Sequence, residues 1–106
     1  MDKSLQIGEF EQVALLVVLR LQDDGAYGVT IRAEIAKRTQ RDTAPGALYT
    51  TLDRLEQKGL VNSKVGEATP ARGGRPKRFY YVTAKGVEAL KLAKRVYDNL
   101  ADGLAF

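Results

Sequence analysis

A mainly helical chain with one small two-stranded antiparallel sheet is the fold class predicted by three features of this sequence. Leu48, Leu52 and Leu55 stand at helical spacing, and Gly59 follows where a left-handed residue ends a helix. Two stretches of period-two alternation, Leu60–Glu67 and Lys77–Thr83, then bracket a loop. A long amphipathic segment follows, opened by Thr83 and reaching to about Gly103.

The first helix is expected from Gly8–Glu9 to about Leu21, stopped by the turn-forming Asp23-Asp24-Gly25. Glu9 and Glu11 fall in its first turn, where carboxylates complement the helix dipole. Val13 through Leu19 is apolar on every side, whereas a surface helix shows only a stripe. The domain core, a second subunit, or both must cover it, and both are expected. A second helix from Tyr27 to Arg38 carries Ile31 and Ile35 on one face beside Val29, Ala33 and Ala36. Lys37, Arg38 and Arg41 gather near its end, where they either complement the dipole or touch phosphate. Tyr27 and Lys58 join them as candidate phosphate contacts. The third helix runs from Ala44 or Pro45 to Lys58, with Pro45 in the first turn, where its missing N–H costs nothing. Gly46, Thr50, Asp53, Arg54 and Gln57 point away from its leucine stripe.

In the first strand Val61, Ser63 and Val65 share a face. In the second, Tyr80 and Val82 are assigned to the core, which leaves Phe79 and Tyr81 outside to flank the loop or touch sugar and phosphate. The loop Arg72-Gly-Gly-Arg-Pro-Lys-Arg78 holds four positive charges and no negative one, equal to the chain's whole formal net charge of +4. With Gly73 and Gly74 to bend it and Pro76 to stiffen it, such a loop suits a phosphate backbone. The bland alternative is a solvated hairpin tip, basic by chance. A slim helix leading directly into a basic hairpin predicts a winged helix-turn-helix DNA-binding domain over residues 1–83. Its recognition helix is placed at about 45–58 and its wing at about 60–83.

Residues 84–106 are expected to form a C-terminal dimerisation helix packed with the first helix. At about 20 residues it spans roughly 30 Å and overhangs a three-helix core. Leu90, Ala93, Tyr97, Leu100 and Leu104 recur in steps of three and four, a seam that a second copy would cover. Packing onto the chain's own first helix is the alternative, adequate for Leu90 but not for Leu100 and Leu104. Leu15, Val18 and Leu19 are expected on the other side of that interface. With Val96, Tyr97 and Leu100 they either line a cavity for a small apolar effector or simply fill the contact.

The totals narrow the function classes. At 106 residues one domain is expected, and 44% hydrophobic with 28% charged residues is ordinary for a globular chain. A pI near 9.5 fits a polyanionic partner. Without cysteine there is no disulfide framework or thiolate metal site, and without histidine the commonest general base is missing. The 13 carboxylates show no acid–base pairing and no phosphate-binding glycine loop accompanies them, so neither an enzyme nor a cofactor is expected. The apolar run is far too short to cross a bilayer and lacks a cleavage site after it, which suggests a cytoplasmic protein.

Helix and hairpin closely resemble the PadR family of bacterial transcriptional regulators. The residues that carry the likeness are Gly46-Ala-Leu-Tyr-Thr-Thr-Leu-Asp-Arg-Leu-Glu-Gln-Lys-Gly-Leu-Val61 and Arg72-Gly-Gly-Arg-Pro-Lys-Arg-Phe-Tyr-Tyr-Val-Thr83, then Ala84-Lys-Gly86. Tyr27-Gly28 with Ile31, Arg32 and Glu34 also fit, so the likeness covers about Gly8 to Leu92. It implies a homodimeric repressor, often released by a small molecule, of the compact branch with one C-terminal helix. Two departures stand out. The chain has no tryptophan, where some compact members hold planar drugs between tryptophans at the dimer interface. Tyr81 occupies a strand position that is often basic in relatives.

On this reading two third helices enter successive major-groove faces of a pseudo-palindromic operator, with half-sites about 34–36 Å apart. Thr50, Asp53 and Arg54 are placed near base edges, although Asp53 instead serves to hold Arg54 or Gln57 in the alternative reading. Gly46 and Ala47 permit close approach, Tyr49 reaches the backbone, and Arg72, Arg75, Lys77 and Arg78 supply the salt-dependent attraction. A winged helix used as a protein-assembly module, without DNA, is the rival. Such modules tend to lose the basic wing and to carry apolar residues on the third helix's outer face, and this sequence does neither.

Overall fold

The computed structural model describes residues 3–66 and 76–106. A 3-10 turn at Lys3–Leu5 precedes helices α1 (Glu9–Leu21), α2 (Gly28–Thr39) and α3 (Pro45–Gln57). Strands β1 (Val61–Val65) and β2 (Arg78–Val82) follow, then helix α4 (Ala84–Ala101). The sequence did not predict the 3-10 turn; one turn is too short to show a periodicity. The strands are shorter than expected, and Glu67 lies outside the described residues.

The core forms where three helices and the sheet meet. Leu48, Leu52 and Leu55 from α3 are fully buried against Leu15 and Val18 of α1, Ile31 and Ile35 of α2, and Tyr80 of β2. This arrangement corrects the expected role of Leu15 and Val18. Both belong to the chain's own core and present no surface to a second subunit. The outward residues of α1 are instead Leu16, 53% exposed, and Leu19, 38% exposed.

β1 and β2 pair antiparallel with Val61 opposite Val82, Ser63 opposite Tyr80 and Val65 opposite Arg78. Tyr80 faces the core as expected, and the parity of the strand puts Arg78 on that same face. The Tyr80 N–H also donates to the Ala26 carbonyl at 2.8 Å, which ties β2 to the segment leading into α2.

The hairpin base and α4 are joined through Thr83. Its N–H donates to the Leu60 carbonyl at 3.0 Å and its hydroxyl to the Gly59 carbonyl at 2.7 Å. The same hydroxyl accepts from the Gly86 N–H at 3.0 Å, capping α4 as predicted. Gly86 itself lies hard against the chain: a Cβ there would sit 2.3 Å from the Leu60 carbonyl oxygen and 2.7 Å from Val82 Cγ1. Alanine within a helix ordinarily stabilises relative to glycine. Here the contact is with backbone, which cannot swing aside. Gly86→Ala is expected to lower stability by about 1–3 kcal/mol in a urea melt; an unchanged midpoint would show that α4 shifts freely.

Candidate nucleic-acid interface

Gly46, Ala47, Tyr49, Thr50, Asp53 and Arg54 are all exposed along one side of α3. A Cβ added at Gly46 would meet nothing within 4 Å among the described residues beyond its own helix backbone and chain neighbours. Tyr49 is 45% exposed, and its hydroxyl rests over the start of α2. A Cβ on Gly28 would fall 2.1 Å from that oxygen, so the glycine of Tyr27-Gly28 makes room for the tyrosine of α3.

The return strand leans on the same corner. Phe79 meets Tyr27 edge to face, with ring centroids 5.5 Å apart at 74°. Phe79 is therefore half-buried rather than free for sugar contact, while Tyr81 remains exposed. Lys77 Nζ stands 4.4 Å from the centre of the Tyr27 ring and donates to its hydroxyl at 3.3 Å. Tyr27 and Lys77, two separate expectations, are thus brought together. Arg72, Gly73, Gly74 and Arg75 lie outside the described residues.

The remaining candidate cations divide. Lys37 is exposed. Arg38 is paired with Glu34 one helical turn earlier. Arg41 grips both oxygens of Glu9, at 2.9 and 3.1 Å, and its guanidinium lies 5.9 Å from the centre of the Phe10 ring. Lys58 donates to the Gln6 carbonyl at 3.2 Å and to the Glu11 carboxylate at 2.9 and 3.1 Å. Three expected phosphate contacts therefore spend their charge on the chain's own carboxylates. Arg32, which the resemblance alone had singled out, donates to the Thr43 carbonyl at 2.8 Å and holds the turn into α3.

Glu11 joins the end of α3 to the start of α1. Burial pushes its carboxyl up, but the Gly8 N–H at 2.8 Å and Lys58 together outweigh burial and hold it below the ordinary value. A depressed carboxyl stabilises the fold above its unfolded pKa, and that stabilisation disappears as pH falls through the folded value. Glu11→Gln is accordingly expected to cost about 1–2 kcal/mol at neutral pH, between the values for exposed and for buried pairs because Lys58 is partly exposed. Stability of the variant should also flatten against pH in the acid range below the ordinary glutamate value, where the carboxyl of the parent takes up its proton. Parallel acid melting curves for the two proteins would contradict the assignment.

Away from α3, helices α1 and α4 leave an apolar face open. Val96 (47%), Tyr97 (61%), Leu100 (76%) and Leu104 (66%) are exposed, as is every residue from Lys94 to Leu100. Leu90 packs partly on the chain's own core, and Ala93 is half-buried. Two grooves run along this face. One, about 450 Å³, is lined by Leu16, Leu19, Leu90, Ala93 and Tyr97, and the other, about 460 Å³, by Leu5, Ile7, Val96 and Leu100 among others. Leu16, Leu5 and Ile7 were not expected there. Gln12, Leu16 and Leu19 do stand at helical spacing, which was the available signal for Leu16.

Among the described residues no helix is long and apolar enough to cross a membrane, and no cluster of potential metal ligands occurs.

Comparison with known proteins agrees with this geometry. The family described as Transcriptional regulator PadR-like family matches residues 15–92. The transcriptional regulator Rv3488 of Mycobacterium tuberculosis is 33% identical over 95 residues, covering 88% of this chain and 84% of that protein. Among solved structures, a PadR-like transcription factor from Bacteroides fragilis superposes with a TM-score of 0.75 at 25% identity, over 88% of this chain and 84% of the other. A PadR family transcription regulator from Clostridium difficile gives 0.66 at 25% identity, over 84% and 88%. A family match across most of the core, a relative at this identity and the same arrangement of helices and sheet agree: the chain belongs to the PadR-like family of transcriptional regulators, and is not an enzyme.

Proposed function

We propose that two copies of this chain, paired through the α1–α4 face, bind a pseudo-palindromic duplex operator and repress transcription by occupying it. The observation that carries this reading is the exposed face of α3, where Gly46 meets open space and Thr50, Asp53 and Arg54 follow over little more than two turns. A recognition helix turns its N-terminal residues to the base edges of a major groove, and slim, hydrogen-bonding ones there let it approach closely. The half-exposed Tyr49 side chain and the Lys77–Tyr27 corner stand next to that face and suit the sugar-phosphate backbone. Arg72 and Arg75 add charge from the sequence between the strands. In the dimer, the apolar grooves beside α4 offer room for a small apolar effector that relieves repression.

Retention by duplex DNA at low ionic strength tests the reading, followed by selection of bound sequences from a random pool. The expected result is a pseudo-palindrome with half-sites one helical turn apart. Absence of any salt-sensitive retention would leave the rival, a protein-assembly module, as the better account. A thermal-shift panel of apolar and phenolic compounds tests the effector: uniform melting temperatures would remove it for those compounds.

A further inference from the structure

We propose that Arg78 is a positioning residue, held through Ser63 to Glu56 of α3, which sets the angle between the recognition helix and the hairpin. The inference rests on the DNA-binding reading above and deepens it by taking Arg78 out of the set of phosphate ligands. The Ser63 hydroxyl has one proton, and it lies 3.0 and 2.9 Å from the two carboxylate oxygens of Glu56, to which it donates. Its lone pairs are then left for Arg78, whose Nη1 donates to Ser63 Oγ at 2.8 Å. The result is one polarised chain of hydrogen bonds, carboxylate to hydroxyl to guanidinium, that crosses from α3 through β1 to β2.

Strand register accounts for this reach. Ser63 is opposite Tyr80 and Val65 is opposite Arg78, so Arg78 and Ser63 are diagonal neighbours on the inward face, a span that a long side chain covers. Arg78 is thereby turned back toward α3. Burial first, then Asp53 and Glu56, push the Tyr80 phenol up while Arg78 opposes them, which marks these side chains as one electrostatic neighbourhood. The hairpin's other anchor, Lys77 and Phe79 on Tyr27, lies on the opposite face of the strand. Together the two anchors grip β2 from both sides just where the basic sequence joins it.

The test exploits a sign. Removing the negative charge of Glu56 near a polyanion should by simple electrostatics tighten DNA binding. Positioning predicts the reverse: Glu56→Gln, Ser63→Ala and Arg78→Ala each weaken binding about three- to tenfold, the range for partly exposed charge-assisted hydrogen bonds. The double variant of Glu56 and Arg78 should lose no more than either single one, because both break the same link. The slope of log affinity against log salt stays at the parent's value. An arginine that neutralised a phosphate would instead take about 0.9 per subunit out of that slope. A reduced slope for Arg78→Ala with a silent or tightened Glu56→Gln would overturn the proposal. Amide hydrogen exchange on the free protein gives a second reading, with Lys64–Gly66 and Lys77–Phe79 expected to exchange faster in both single variants. Unchanged exchange in those strands would also overturn it. Failure of the parent to bind duplex DNA would sink the DNA-binding reading alone, and the exchange comparison would still decide the link.

Discussion

Affinity for duplex DNA is expected to fall about 10³–10⁵-fold as salt rises from about 50 to 200 mM, as for a protein making six to ten phosphate contacts. A net charge of only +4 is too small for a general field to give that response, so its source must be local. The structure narrows the candidates. Arg38, Arg41 and Lys58 already serve Glu34, Glu9 and Glu11, and Arg78 is engaged with Ser63. Lys77 is held against Tyr27 yet remains exposed, and Lys37, Lys64 and Arg54 are exposed as well. On the proposed reading, three to five contacts per subunit would then draw on Lys77, Tyr49 and these exposed cations, together with Arg72 and Arg75. Alanine at Arg72 and Arg75 should take about 1.8 per subunit out of the salt slope. Anisotropy of a labelled duplex across a salt series measures both effects. A flat response in the parent would remove phosphate anchoring altogether, whereas a flat difference for the double variant would move the anchor onto α2, α3 and the exposed lysines of the hairpin.

What the residues announced beforehand, and what they withheld, follows from the range of the forces involved. Helix limits are local: Pro45 and Gly59 bracket α3, and Thr83 starts α4, within a residue or two of expectation. The phase of α1 was only faintly legible, because Val13–Leu19 is apolar throughout and the spacing of Gln12 with Leu16 and Leu19 alone separates its two faces. Only the packing of α2 and α3 chose Leu15 and Val18 for the core and left Leu16 and Leu19 outside. Arg41 and Lys58 find their carboxylates 32 and 47 residues away, a distance at which no local pattern helps. The Arg38–Glu34 pair is different. It lies at i, i+4 and was readable from the sequence, as was the parity that puts Arg78 on the inward face with Tyr80.

Charge placed on the open α1–α4 face should split the proposed dimer without unfolding the subunit. Leu16 and Tyr97 are 53% and 61% exposed in the single chain and lie along the same groove. Glutamate at both positions replaces surface that water already reaches, and exposed substitutions usually change stability by only about 0.5 kcal/mol. In a pairing that must bury about 1,200–2,000 Å², the same glutamates would be desolvated without partners. The L16E/Y97E protein is therefore expected to keep its thermal transition, run as a monomer by light scattering, and bind the full operator about 10²–10⁴-fold more weakly through loss of the second half-site. Leu15, one residue away, supplies the contrast. It is fully buried, so Leu15→Glu should abolish the cooperative transition itself, since an unpaired carboxylate in the core costs several kcal/mol. If the surface variant remains dimeric, subunits pair elsewhere and the grooves beside α4 lie outside the interface. If both variants unfold alike, the outward face of α1 is doing structural service inside one chain, and the two leucines are not separable by phase.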